Sequence, residues 1–281
     1  MTARLTPREI LERLVAFPTV SRDTNMPLID WVQGYLASHG IEAAKHIKPD
    51  EPEKAALFAH VGPKVEGGLV LSGHTDVVPT DGQAWSSDPW VLTERDGKLF
   101  GRGSTDMKGF VACAMEAMVA AKSRPLSRPL HIALSYDEEI GCVGVRGLLD
   151  VLASGLTGAG TCRPEVVVVG EPTGMRLCNA HAGKVAYRID LTAASGHSSR
   201  AGTEPTAVHE GAALVALVQG LNDPDRGISA NVGSIHGGVA VNVLSPSCTL
   251  EFEVRHQADT DPDEVLAGVL KAVAEAPADQ G

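Results

Sequence analysis

Apolar and polar positions along the chain fall into two successive patterns. Thr6-Pro7 precedes Arg8-Glu-Ile-Leu-Glu-Arg-Leu-Val15, whose apolar residues share one stripe, and this predicts a helix with proline in its first turn. A second helix is expected over residues 26–38, closed by Gly40. Residues 54–60 and 68–72 are apolar runs split by a Gly/Pro turn and read as neighbouring strands; residues 129–135 and 165–169 add two more. Helices are expected between them at 107–122, opened by Asp106, and at 143–152. Continuous apolar strands alternating with helices predict an α/β domain on a mostly parallel sheet covered on both faces, with 165–169 fully buried. The segment 80–103, with Trp85, Trp90 and Asp96-Gly97, reads as a long irregular connection of the kind that carries function.

After Gly183 the pattern changes. A strand at 185–193, a helix at 205–221, strands at 228–236 and 248–256 and a helix at 262–276 give the order strand-helix-strand-strand-helix. That is a split βαβ layout without its final strand. The expected domains are therefore 1–182 and 183–281, with residues 276–281 as a frayed end.

Composition narrows the function classes. The formal charge of −11 argues against a phosphate backbone or anionic membrane as partner. No apolar run reaches membrane-spanning length and the first residues lack the apolar core of a secretion signal, so a cytoplasmic protein is expected. Cys113, Cys142, Cys162, Cys178 and Cys248 are odd in number and never closely spaced, which suits a reducing compartment and not a cysteine zinc site.

The candidate chemistry sits at strand ends. In Leu71-Ser-Gly-His74-Thr-Asp76, a period of two puts His74 and Asp76 on one face, where the carboxylate can take one ring N–H and leave the other nitrogen for a metal; a purely structural His–Asp hydrogen bond is the alternative. Asp106 precedes a helix and could equally cap it. Asp137-Glu138-Glu139 ends a strand, and consecutive acids there repel one another unless a cation neutralises them. Glu171 follows the apolar run that ends at Val169. One imidazole and several carboxylates at successive strand ends suit a hard or borderline divalent ion. Adjacent Glu138 and Glu139 permit one to bind metal while the other accepts a proton from water. Gly101 and Gly103 precede an acidic helix start and lack the Lys-Ser/Thr of a phosphate loop, which disfavours a nucleotide-binding protein.

His74-Thr-Asp-Val-Val-Pro79, Gly101-Arg-Gly-Ser-Thr-Asp-Met-Lys-Gly109, Asp137-Glu-Glu139 and Gly170-Glu-Pro-Thr173 resemble, in order and spacing, the zinc aminoacylase and carboxypeptidase family, peptidase family M20. The resemblance runs from near residue 7 to about 275. It implies that His74, Asp106 and Glu171 hold one Zn2+, that Asp106 bridges to a second held by Glu139, that Glu138 is the general base and that Asp76 orients His74; Co2+ could replace zinc. Ser195-Gly-His197 resembles the motif whose histidine steadies the oxyanion in a partner subunit, which implies a homodimer. Asn242 and Arg255 resemble substrate-holding residues, Arg255 as a carboxylate clamp.

The fold implied is a catalytic domain at 1–182 with an inserted ferredoxin-like dimerisation, or lid, domain at 183–281. Both are expected to be incomplete at the carboxyl end, with about a hundred residues of the family pattern, including a late histidine ligand, beyond Gly281. Residues 72–117, Asn179-Ala-His181 and Ser195–Arg200 look most like the family's acetylornithine deacetylases. The implied reaction is hydrolysis of N2-acetyl-L-ornithine. Desuccinylation, another N-acyl amino acid hydrolysis or a carboxypeptidase activity, and a metal-binding but inactive fragment, are the alternatives.

Overall fold

The computed structural model describes residues 3–154 and 163–275. Cys162 and the expected frayed end therefore lie outside the described residues. The chain divides into two compact units, Met1–Arg176 and Leu177–Gly281.

The first unit opens with helices α1 (Pro7–Val15) and α2 (Met26–Ser38), strands β1 (Ala43–Ile47), β2 (Ala55–Val61) and β3 (Leu69–His74), and a hairpin of β4 (Thr93–Arg95) and β5 (Lys98–Phe100). Helix α3 (Gly109–Lys122), β6 (Leu130–Ser135), α4 (Val143–Ser154) and β7 (Val166–Val169) complete it. Thr6 caps α1 through a capping box with Glu9, and Pro7 needs no donor at the helix start. Strand β2 sends Ala55, Leu57, Ala59 and Val61 into a core shared with α1, α2 and α3, and Ala56 and Phe58 into a second core under α4. Burial on both faces is why it reads as an unbroken apolar run.

The five strands lie in the order β1-β2-β6-β3-β7. The sheet is mixed, not mostly parallel: β1 with β2 and β2 with β6 are antiparallel, whereas β3 is parallel to both β6 and β7. An apolar run carries no direction, so the antiparallel half was invisible in the pattern. Strand β7 also departs from expectation, since Val166–Val169 are 40–58% exposed instead of buried. It is an edge strand that pairs with β3, and among the described residues no third core cluster includes its valines. The 80–103 connection contains the β4–β5 hairpin, turned by Asp96 and Gly97 with positive φ at both. Asp106 does not open a helix: it has extended φ −119° and ψ 97°, and α3 begins at Gly109.

One buried histidine on the α4 side predicts acid sensitivity. His131 lies opposite His60 across the β2–β6 pairing, its ring stacks on Phe58, and its Nδ1 has no hydrogen-bond partner. Burial and the neighbouring His60 push its pKa down to about 4. The unfolded chain protonates near the ordinary histidine value while the folded chain resists, so stability falls as pH drops through that window. Urea unfolding should show a loss of about 2 kcal/mol between pH 7 and 4.5, flattened in His131→Phe.

The second unit contains β8 (Gly183–Thr192), β9 (Gly196–His197), α5 (Ala207–Gln219), β10 (Ser229–Gly237), β11 (Val243–Leu244), β12 (Ser247–His256) and α6 (Pro262–Glu275). Strands β10-β12-β8 form an antiparallel sheet, and β9 pairs with β11 separately. Alternation along β12 turns Cys248, Leu250, Phe252 and Val254 into a core with Leu214 and Val218 of α5 and Leu266 and Val269 of α6. Thr249, Glu251, Glu253 and Arg255 occupy its other face. Among the described residues, no helix is long and apolar enough to cross a membrane.

Candidate metal centre

Parallel pairing gathers the candidate residues. In the β3–β6 register His74 stands opposite Ser135, and in the β3–β7 register Ser72 stands opposite Val169, with Gly170 N–H donating to the Ser72 carbonyl at 3.1 Å. The carboxyl ends of the three strands therefore meet at one level, which delivers His74, Glu138 and Glu139, and Glu171 to one place. Gly170 is required there, because a Cβ would lie 1.9 Å from the Phe110 ring.

His74 is 1% exposed. Its Nδ1 lies 2.8 Å from the backbone carbonyl of Asp76, which therefore accepts the Nδ1–H and leaves Nε2 facing the cluster. Nε2 is 3.0 Å from Asp106 Oδ1, 3.7 Å from Glu171 Oε1 and 3.8 Å from Glu138 Oε2. The Asp76 carboxylate does not take the ring N–H as expected, since Oδ1 is 3.6 Å from Nδ1. It accepts instead from Ser21 Oγ at 2.7 Å and from the main-chain N–H groups of Glu138 at 3.2 Å and Glu139 at 3.3 Å. Strand β3 ends at His74, so Asp76 lies beyond the strand.

Of the three acids that follow β6, Asp137 is neutralised from inside the protein while Glu138 and Glu139 belong to the cluster. Asp137 is 1% exposed and pairs with Lys54 Nζ at 2.6 Å, with Lys48 Nζ 3.4 Å away. Lys54, Lys48 and Ser21 were missed by motif reasoning; the usable signal was a lysine directly before the buried run of β2. Glu138 Oε1 accepts from the Cys142 thiol at 3.2 Å.

Two sets of side chains offer ligand atoms within 4.8 Å of one another: His74, Asp106 and Glu139, and His74, Glu138 and Glu171. The residues are those expected, but Glu138 stands with Glu171 where the resemblance puts Asp106. Electrostatics fits a cation at their centre. Burial and repulsion from Asp106 and Glu138 push Glu171 up to about 7 against the pull of His74, and burial with Asp106 also raises Glu139. Burial disfavours the charged form of His74, yet Asp76 and Glu171 outweigh it and lift the imidazole to about 9. Asp76 itself is held low despite burial, by His74, Ser21 and the Glu138 N–H. An imidazole and carboxylates that hold protons for want of another positive charge form a donor set suited to zinc.

In the second unit, His197 of β9 pairs with Val243 of β11, and the Ser198 N–H donates to the Asn242 carbonyl at 3.1 Å, so His197 and Asn242 lie on neighbouring chain segments. The His197 Nδ1 accepts from the Ser199 N–H at 3.2 Å. Arg255 is on the β12 face away from the helices, where Nε donates to Glu253 Oε1 at 3.0 Å.

The sequence profile described as "Peptidase family M20/M25/M40" matches residues 70–280. Similar curated proteins include acetylornithine deacetylase of Photorhabdus laumondii, 34% identical over 264 residues covering 88% of this chain and 66% of that protein. The acetylornithine deacetylase of Yersinia pestis is 32% identical over 292 residues, 95% of this chain and 73% of its own length. The chain thus spans roughly two thirds to three quarters of these relatives. Among solved structures, an M20 family metallo-carboxypeptidase from Sulfolobus solfataricus superposes with a TM-score of 0.73 at 14% identity, covering 95% of this chain and 75% of that one. Human carnosine dipeptidase 1 gives 0.69 at 19% identity, with 95% and 74% covered. With its two-unit α/β architecture and its histidine and carboxylate cluster, the chain belongs to peptidase family M20/M25/M40, a family of zinc-dependent hydrolases.

Proposed function

We propose that the chain hydrolyses the amide of N2-acetyl-L-ornithine to L-ornithine and acetate at the His74 cluster. The observation that carries the hydrolytic part is the convergence of Asp106, Glu138 and Glu171 on one buried imidazole nitrogen, with Glu139 in the same group. The substrate rests on the acetylornithine deacetylases at 30–34% identity. His74, Asp106 and Glu171 would hold one zinc, and Asp106 with Glu139 a second. Bound zinc supplies Lewis acidity that polarises the amide carbonyl and eases deprotonation of water. Glu138 accepts a proton from the attacking water and returns it to the leaving amine as the C–N bond breaks. Asp76 holds the main chain of both glutamates, while its carbonyl fixes the His74 tautomer.

We assign the second unit, as a ferredoxin-like lid, to substrate binding and dimerisation. Asn242 and Arg255 hold substrate, and the partner's His197 steadies the oxyanion in a cytoplasmic homodimer. Steady-state hydrolysis by zinc-loaded protein tests the substrate, with N2-acetyl-L-ornithine, N-succinyl-L,L-diaminopimelate, other N-acetyl amino acids and dipeptides compared. Acetylornithine should lead in kcat/KM by about tenfold or more. A lead for the succinyl compound would make the chain a desuccinylase, and zinc uptake without turnover of any of them would make it a metal-binding protein only.

A further inference from the structure

We infer, on the strength of the hydrolytic function proposed above, that Lys54 is a positioning residue that sets the Glu138–Glu139 turn through Asp137 and Ser21. The placement follows from strand register. Strands β2 and β6 run antiparallel with Leu57 opposite Leu134 and Phe58 opposite Ala133, and the same pairing continued past the strand ends sets Lys54 opposite Asp137. Lys54 Nζ then reaches Asp137 Oδ1 at 2.6 Å and the Ser21 carbonyl at 2.5 Å.

Ser21 closes a ring. Its hydroxyl donates to Asp76 Oδ2 at 2.7 Å, and Asp76 accepts from the Glu138 and Glu139 main-chain N–H groups. The turn is thus held on one side through Asp137 and on the other through Asp76, and a single ammonium ties the two sides together. Lys54, Asp137, Ser21 and Asp76 are all buried. Asp137 also adopts φ +54°, a left-handed conformation uncommon outside glycine that aspartate tolerates better than most residues.

Energetics favours positioning over stability as the role of this pair. Burying an ion pair costs desolvation that its Coulomb attraction barely repays, so an apolar pair of similar size would hold the fold as well. What an apolar pair could not supply is a fixed anchor at the residue preceding Glu138, where small displacements of a catalytic carboxylate are costly.

The test compares wild type, Lys54→Met and the double variant Lys54→Met/Asp137→Asn. Melting temperature, Co2+ affinity and absorption spectrum, and kcat and KM for N2-acetyl-L-ornithine are measured for each. Lys54→Met should lose melting temperature because buried Asp137 keeps only its longer 3.4 Å contact with Lys48, and the double variant should regain it. Both should still lose about 10- to 100-fold in Co2+ affinity and in kcat, with an altered Co2+ spectrum. KM should stay within about threefold of wild type. A folded double variant with wild-type Co2+ affinity, spectrum and kcat overturns the inference, as does failure of both variants to fold, which would make the pair a stability element. If wild type itself does not hydrolyse the amide, the proposed function has failed, and Co2+ affinity and spectrum alone decide the role of Lys54.

Discussion

Glu138→Gln should lower kcat for amide hydrolysis by about a thousandfold while zinc affinity stays within about threefold of wild type. The substitution keeps the length and shape of the side chain, and its carbonyl oxygen can still accept from the Cys142 thiol. What it removes is a carboxylate able to take a proton. The comparison of activity with metal binding is informative because Glu138 Oε2 stands 3.8 Å from His74 Nε2, in ligand range of the same group as Glu171. If zinc is lost together with activity, Glu138 is a ligand and the base lies elsewhere. Full activity in the variant would remove Glu138 from the chemistry altogether. Zinc content by atomic absorption, measured beside steady-state rates, separates these outcomes.

The second large effect concerns pH. In the metal-free protein His74 is held protonated up to about 9 and Glu171 up to about 7, so at pH 7 a metal must displace the proton of His74 and part of that on Glu171. Zinc binding should therefore release about one to two protons at pH 7, and affinity should climb by about tenfold per pH unit until His74 is neutral. Titration calorimetry in buffers of different ionisation enthalpy counts the protons. Stability of the metal-free protein runs the other way. The folded value of His74 lies above its unfolded value of 6.5, so its contribution is complete below that pH and is lost as pH rises through about 9. The loss is about 3 kcal/mol, and Glu171 shifts in the same direction at lower pH. Added zinc should thus raise the melting temperature more at pH 9 than at pH 6. His74→Ala should abolish both the proton release and the zinc effect, because His74 belongs to both ligand groups.

Much of this site was legible because its residues occupy strand ends, where local sequence and sheet position coincide. His74, Glu138, Glu139 and Glu171 each follow an apolar run, and parallel pairing does the rest. Asp106 was found, although its local conformation is not the helix cap that its position suggested. What escaped was set by register and direction. The pairing that brings Lys54 to Asp137 joins segments far apart in sequence, and nothing local to either residue announces the other. The exposure of β7 escaped for a related reason, since four valines read alike at the centre or the edge of a sheet. Asp96-Gly97 was a hairpin signal in plain view, flanked by strands only three residues long.

The most direct test of metal-dependent amide hydrolysis is ornithine release from N2-acetyl-L-ornithine by chelator-treated protein before and after zinc is restored. The structure and the proposed chemistry predict no turnover without metal and recovery on addition of zinc. Turnover that survives complete removal of metal, or zinc bound at the His74 cluster with no release of ornithine, would contradict it.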